Sequence, residues 1–453
     1  MLIRFTVENF LSFDQKQEIN MLPAKGLKTL KNHVYKNNNI SLLKSVVLYG
    51  ANASGKSNFV KAITFAKKMI LEGFSISSSN LYCRIKGENK DKPSIFEFEF
   101  IKNNKFYAYG FSINLQKQII LTEWLYELFP GNKKDKMLFE RETETQRLEL
   151  GEEVQLSEEE KKRFETYQYD FSKNKTELFL KEMNKKNIQK DSALLFFKEV
   201  FDWFDNNLVT IFPEQPINIF KNPFEDNNSK LLNLIKVFDT GITDIKKEIV
   251  EDIDELGNKI PKKVLEILKN RINEIKENNE VSKSSITIRG KDSFYNIDFV
   301  NEKKDNIRIT VFRLSHSDTL FDYDEESDGT KRLLDLIEIL LNTDENKTYI
   351  IDELERSLHP NLTRKFLELF FSELENSPVQ LLFTTHESSI MDQNLLRRDE
   401  IWFVDKGLEN TSTIYSLDRF NERYDKKLDK AYLEGRYGAV PIFKSLSLEK
   451  EDK

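Results

Sequence analysis

Eight consecutive residues carry the densest chemistry in the chain. Gly50-Ala51-Asn52-Ala53-Ser54-Gly55-Lys56-Ser57 fits the pattern G-x-x-x-x-G-K-[ST] in full. The glycines let backbone N–H groups turn inward and cradle phosphate oxygens. Lys56 has the reach for β- and γ-phosphates, the Ser57 hydroxyl suits Mg2+, and Asn58 follows in the same cradle. A second run, Thr348-Tyr349-Ile350-Ile351-Asp352-Glu353, is an apolar stretch closing on two carboxylates. Asp352 suits a Mg2+ ligand acting through water. Glu353 suits the group that orients or deprotonates an attacking water. His386, after Leu381-Leu382-Phe383-Thr384-Thr385, is placed to sense a γ-phosphate by hydrogen bonding. Ser327-Asp328-Gly329-Thr330-Lys331-Arg332 offers Ser327 and Gly329 at a helix start, a second anion-binding geometry.

Each of these has a plainer reading. The first could be a glycine turn, the second a solvated strand end, the third a structural histidine and the fourth a helix cap. The first is separated from its plainer reading by its flanks. Ser45-Val46-Val47-Leu48 is an apolar run suited to a buried parallel strand. Ser57 to Leu71 sets Phe59, Val60, Ile63, Met69 and Ile70 at helical spacing. Strand, loop and helix together are what a phosphate site requires. The other three gain weight from order alone: Ser327 lies 25 residues before Asp352, and His386 ends the next strand.

The elements that must position these groups are α/β in pattern. Residues 2–7 and Gln17 to Met21 read as paired strands, and residues 94–126 alternate as an antiparallel sheet, most clearly at Phe96-Glu97-Phe98-Glu99-Phe100. Thr348 to Ile351, Gln380 to Thr384 and Glu400 to Val404 read as further strands, with a helix from Pro360 to Leu374 opened by its proline. Between these blocks the sequence is charged and mostly helical, as in Pro261 to Asn278, where Val264, Leu265, Ile267, Leu268 and Ile272 share a side. The expected organisation is one split domain: residues 1–139 as its first part, 140–307 as a mainly helical insert or lid, and 308–453 as its second part.

Composition bounds the function. Hydrophobic residues make up 39% and charged residues 32%, enough for a core under a very polar surface. The formal net charge of -7 does not favour DNA, so DNA contact would need a local basic groove. Lys173-Asn174-Lys175 and Lys181 to Lys190 are candidates, with a solvated helix face as the plainer account. A single cysteine, Cys83, excludes an internal disulfide framework and fits a reducing cytosol. The start of the chain alternates and carries charge, unlike a signal peptide, and no apolar run is long enough to cross a membrane. A soluble, cytoplasmic protein with no membrane role of its own is expected.

Taken together, the motifs resemble the ABC-type ATPase heads of the SMC, Rad50 and RecF group. In that resemblance Gly50 to Ser57 is like Walker A, Ile350 to Glu353 like Walker B, Ser327 to Arg332 like the signature loop, Leu354 to His359 like the D-loop and His386 like the switch histidine. Asp328 departs from the usual signature, where a glycine stands, and no glutamine is assigned to a Q-loop. The resemblance implies ATP and Mg2+ as ligands, catalysis by Glu353, His386 and Lys56, and a head-to-tail homodimer that completes its own sites.

A resemblance over nearly the whole chain is to the AAA15 group, of the RloA and AbiLi type, with the ATPase of PARIS as a relative. It rests on Val7-Glu8-Asn9-Phe10-Leu11-Ser12-Phe13, the Gly50 to Ser57 loop, Asp352 to Pro360 and the tail Lys430 to Pro441. These are phage-defence components that resemble the ATPase half of OLD-family nucleases. There a Toprim nuclease follows, whereas 67 residues follow His386 here. The acidic run Asp322 to Glu326 reads as a solvated loop rather than a nuclease centre. The resemblance therefore implies an ATPase that senses infection and controls a separately encoded nuclease or toxin. A RecF-type DNA-repair or DNA-tethering ATPase is the alternative. The long charged insert between the two Walker motifs argues against a transporter subunit.

Overall fold

The computed structural model describes residues 1–453 except 38–39, 132–133, 214–228, 251–252, 258, 261, 279–283, 290–292, 300–306, 342, 344–345, 421–426 and 442–453. The chain divides into two compact units, one of residues 1–213, 344–354 and 374–453, the other of residues 214–343 and 355–373.

The first unit is built on a mixed six-stranded sheet. Its spatial order is Leu208–Ile211, Thr348–Ile351, Gln380–Thr384, Ser45–Tyr49, Ile401–Lys406 and Ser412–Ser416. All neighbours are parallel except the last pair. Strand Ser45–Tyr49 is buried along its full length, which explains its unbroken apolar run. Because the parallel strands share one direction, their C-terminal ends lie along one edge, where ligands of open α/β sheets gather.

Helix Lys56–Leu71 buries Phe59, Val60, Ala62, Ile63, Ala66, Met69 and Ile70, too broad a face for a helix covered on one side only. A seven-stranded antiparallel sheet accounts for much of this burial: Phe5 of strand Leu2–Glu8 meets Phe59 edge-on at 5.4 Å, and Phe10 meets Phe65 at 5.2 Å. Strand Ser94–Lys102 of this sheet shows the alternation expected of it, whereas its neighbour Lys105–Asn114 is buried at every position after Lys105, because both of its faces are covered. Gln380 joins the sheets. Its fully buried amide receives Leu2 N–H at 2.7 Å and the Thr348 hydroxyl at 3.1 Å, and donates to Leu2 O at 3.0 Å and Leu43 O at 3.1 Å.

The second unit carries helices Ser229–Val237, Lys262–Asn278, Asp328–Leu341 and Pro360–Glu373. It also carries an antiparallel sheet of Asp244–Val250, Ile307–His316, Phe294–Phe299 and Ser284–Arg289, in that order. The charged stretch 140–307 is thus not helices alone. Its strands are set by β-branched and aromatic residues at alternate positions, such as Tyr295 and Ile297, both fully buried. Among the described residues no helix is long and apolar enough to cross a membrane.

Candidate functional site

The glycine-rich loop leaves strand Ser45–Tyr49 at Gly50 and enters helix Lys56–Leu71 at Gly55. Gly55 has φ +117°, a left-handed value that favours glycine, and a Cβ there would stand 2.4 Å from Ser412 Oγ and 2.8 Å from Ser12 Oγ. A Cβ on Gly50 would meet Val404 O at 2.4 Å. Ala53 also adopts positive φ, and the Ser54 N–H closes a turn on Ala51 O at 3.1 Å. Asn52 and Ala53 face solvent, Ala51 is half-buried, and Ser54, Gly55 and Lys56 are buried. The loop therefore keeps its curvature by backbone geometry and close packing.

The Lys56 ammonium donates to Gly50 O at 2.7 Å and Ala51 O at 3.1 Å, and lies 3.4 Å from His386 Nδ1. Ser57 Oγ donates to Asp352 Oδ1 at 3.2 Å, although 295 residues separate them. Asp352 is buried at 3% exposure, while Glu353 is half-buried and His386 exposed. Lys56, Ser57, Asp352, Glu353 and His386 are thus brought to one sheet edge, from the ends of three neighbouring parallel strands. Asn58, in the first turn of the helix, donates to Ser12 Oγ at 2.9 Å.

Electrostatics bias the histidine. Desolvation first, and the Lys56 ammonium second, hold the His386 imidazole below its ordinary pKa, while Glu353 and Asp352 pull the other way. The Ser57 hydroxyl and the Asp352 carboxylate form a hard-oxygen pair of the kind that holds Mg2+ with water and phosphate completing its shell. That donor set fits the ion, and a cation would find one negative and one neutral oxygen at the lysine's side. Among the described residues no group of three or more His, Cys, Asp or Glu could hold a metal without such outside ligands.

Three residues escaped the sequence reading. Thr384 donates to Asp352 Oδ1 at 2.6 Å and accepts the Glu353 N–H at 2.8 Å, while its own carbonyl accepts the Leu354 N–H at 3.1 Å. This clamp sustains a left-handed Glu353, φ +50°, a conformation costing about 1–3 kcal/mol in a non-glycine residue. The only sequence signal was a threonine ending a buried apolar strand. Ser412 donates to Ser54 O at 2.5 Å and its N–H to Ser12 O at 2.8 Å, so Ser12 and Ser412 brace the loop from outside.

Ser327 and Gly329 belong to the other unit. There Ser327 Oγ accepts the Thr330 N–H at 3.1 Å and so caps helix Asp328–Leu341, whose first turn carries Asp328. A Cβ on Gly329 would lie 2.8 Å from Ser357 O, so the residue is glycine because a turn backbone passes over it. The acidic run beside it is satisfied locally: His316 lies 2.6 Å from Glu326, and Arg313 3.3 Å from Asp322. Within the run Lys181 to Lys190 of the first unit, Lys181 lies on Glu177 at 3.2 Å and Lys185 and Lys186 lie on Glu182 at 3.0 and 2.6 Å.

A phosphate loop, a hydroxyl–carboxylate pair and a strand-end histidine on one parallel edge define an AAA-type nucleotide-site protein. The family model described as "AAA domain, putative AbiEii toxin, Type IV TA system" matches residues 45–392, and the chain belongs to that family. No curated protein matches the sequence. Among solved structures, the SMC head domain from Thermotoga maritima is similar over 92% of this chain and 98% of that one, at 13% identity and TM-score 0.37. An Smc head bound to the C-winged helix domain of ScpA gives the same identity and coverage with TM-score 0.40. An Smc head with an extended coiled coil, bound to the C-terminal domain of ScpA derived from Pyrococcus furiosus, gives 13% identity, 96% and 99% coverage and TM-score 0.35.

Proposed function

We propose that the chain binds and hydrolyses ATP with Mg2+, and that head-to-tail pairing of two copies completes each site. The convergence of Lys56, Ser57, Asp352, Glu353 and His386 carries this reading. Lys56 and the loop N–H groups would hold the β- and γ-phosphates, where positive charge opposes the charge that develops on the transferred group. Ser57 and Asp352 would hold Mg2+, which supplies charge neutralisation at the phosphates when bound. Glu353 takes the proton of the attacking water. The new bond joins that water's oxygen to the γ-phosphorus, the bond to the β-bridging oxygen breaks, and ADP and phosphate leave. His386, neutral because its pKa is lowered, hydrogen-bonds the γ-phosphate. Ser327 and Gly329 of one copy would contact the γ-phosphate held by its partner.

The biological role we propose is that of an antiphage sensor whose nucleotide state controls a separately encoded nuclease or toxin. The family's description as an AbiEii-type toxin–antitoxin domain supports a defence setting. The insert 140–307, between head parts 1–139 and 308–453, is our candidate for the lid and partner surface. A DNA-tethering role is less favoured, because Lys181, Lys185 and Lys186 of the second basic run are paired with glutamates. Calorimetry decides the core of the reading. Wild type should bind ATP with Mg2+ and Lys56→Ala should show no heat, whereas equal binding by both would end the assignment.

A further inference from the structure

The tail Lys430 to Pro441 has so far no part in the site, yet it packs under the phosphate loop. Its short helix Leu428–Leu433 lies against the turn Ser388–Ile390, which directly follows His386. Tyr432 in that helix is buried, with 7% of its area exposed. Its ring stacks on Phe403 at 5.6 Å and 24° and meets Tyr49, the last residue before the loop, at 5.7 Å. Its hydroxyl donates to Ala439 O at 3.1 Å, which anchors the ring to the chain that returns past the short helix. The chain can return to place Ala439 there because Gly435 and Gly438 both take positive φ. One tyrosine thus touches the exit of the phosphate strand, while its helix touches the exit of the histidine strand.

We propose that Tyr432 is a positioning residue for the phosphate loop: its hydroxyl on Ala439 O holds its ring on Tyr49 and so fixes how the loop leaves its strand, and its helix ties that exit to the turn after His386. The residue touches neither phosphate nor water. It acts through Tyr49, the residue before Gly50, and so through the Gly50 carbonyl that Lys56 bonds. This proposal rests on the loop being an ATP site.

The test uses the full chain and two conservative variants. Tyr432→Phe keeps the ring and removes the hydroxyl. Tyr415→Phe removes a hydroxyl that holds the same tail from strand Ser412–Ser416, donating to Tyr437 O at 2.6 Å, and serves as the matched control. ATP turnover, ATP binding by calorimetry, and thermal unfolding are measured for each. Loss of the buried hydrogen bond that holds the ring against the loop's strand should raise KM and Kd for ATP about fivefold in Tyr432→Phe, with kcat within about twofold and Tm within a few degrees. Tyr415→Phe should leave KM within about twofold. An unchanged KM in Tyr432→Phe, or an equal rise in Tyr415→Phe, overturns the proposal. If wild type neither binds nor hydrolyses ATP, the ATP reading fails separately. Hydrogen exchange at residues 50–57 then decides the role of Tyr432, faster exchange in Tyr432→Phe than in Tyr415→Phe supporting it and equal exchange overturning it.

Discussion

Thr384 Oγ1 donates a hydrogen bond to Asp352 Oδ1 at 2.6 Å, which leaves its lone pairs to receive the Glu353 N–H at 2.8 Å. One side chain thereby orients the two acids in opposite ways, the first through its carboxylate and the second through its backbone. Thr384→Val keeps the shape and removes both bonds. With a buried carboxylate and a strained amide each losing a partner, kcat should fall about 10- to 100-fold while Kd for ATP changes less than about threefold. Steady-state phosphate release and calorimetry check it, and an unchanged kcat would show that Thr384 is not needed for the placement of Glu353.

Glu353→Gln preserves size and hydrogen bonding but not basicity. ATP binding should persist while turnover falls about 100-fold or more. With ATP and Mg2+, the variant should also double its mass in size-exclusion chromatography with light scattering, since pairing without hydrolysis has no exit. Normal turnover would show Glu353 to be misassigned, and a monomer under these conditions would sink the paired-head proposal.

The lowered pKa of His386 makes a signed forecast. Its folded value lies below the ordinary 6.5, held there by desolvation and then by Lys56, so the folded form prefers the neutral ring. As pH falls through 6.5 toward the lowered value, the unfolded chain takes the proton first and the folded state loses stability. His386→Gln should therefore gain in Tm relative to wild type between pH 7.5 and pH 5. In ATP turnover, the acid limb of kcat/KM should have its midpoint below 6.5 and should flatten in the variant. A limb that persists unchanged in His386→Gln belongs to another group.

Asp14 has the opposite sign. Desolvation pushes its pKa up, but hydrogen bonds from Lys86, Asn89 and Gln15, with the charge of Lys86, outweigh it and bring the group to about 2. Its contribution is present above the unfolded value of 3.8 and is lost as pH falls toward 2. Asp14→Asn should lower Tm by a few degrees at pH 7 and by about half as much at pH 3. An equal loss at both values would assign the effect to packing rather than charge.

Sequence legibility followed how locally each constraint acts. The loop Gly50–Ser57 was legible because its geometry is contiguous: glycines, lysine and serine act within one turn. Asp352, Glu353 and His386 were legible because each ends an apolar strand, and parallel strands end on one side. Thr384, Ser12 and Ser412 were not, because a threonine or serine has no pattern until its partner arrives; Ser412 reaches Ser54 across 358 positions. The strands Ser284–Arg289 and Phe294–Phe299 were hidden by flanking charges that mimic a helical insert. Gly329 was read as part of an anion site, and what the fold adds is the Ser357 carbonyl above it.

Gln380 bears on which changes the fold can absorb. Its amide is at once giver and taker among Leu2, Leu43 and Thr348, inside a dry seam. Glutamate could only take and leucine could do neither, so either replacement would strand several backbone groups away from water. The first β-strand of the protein is in this way riveted to the strand that leads to His386. A rearrangement that parted these two sheets would have to break both of its bonds to Leu2 at once, so the seam sets them as one anvil.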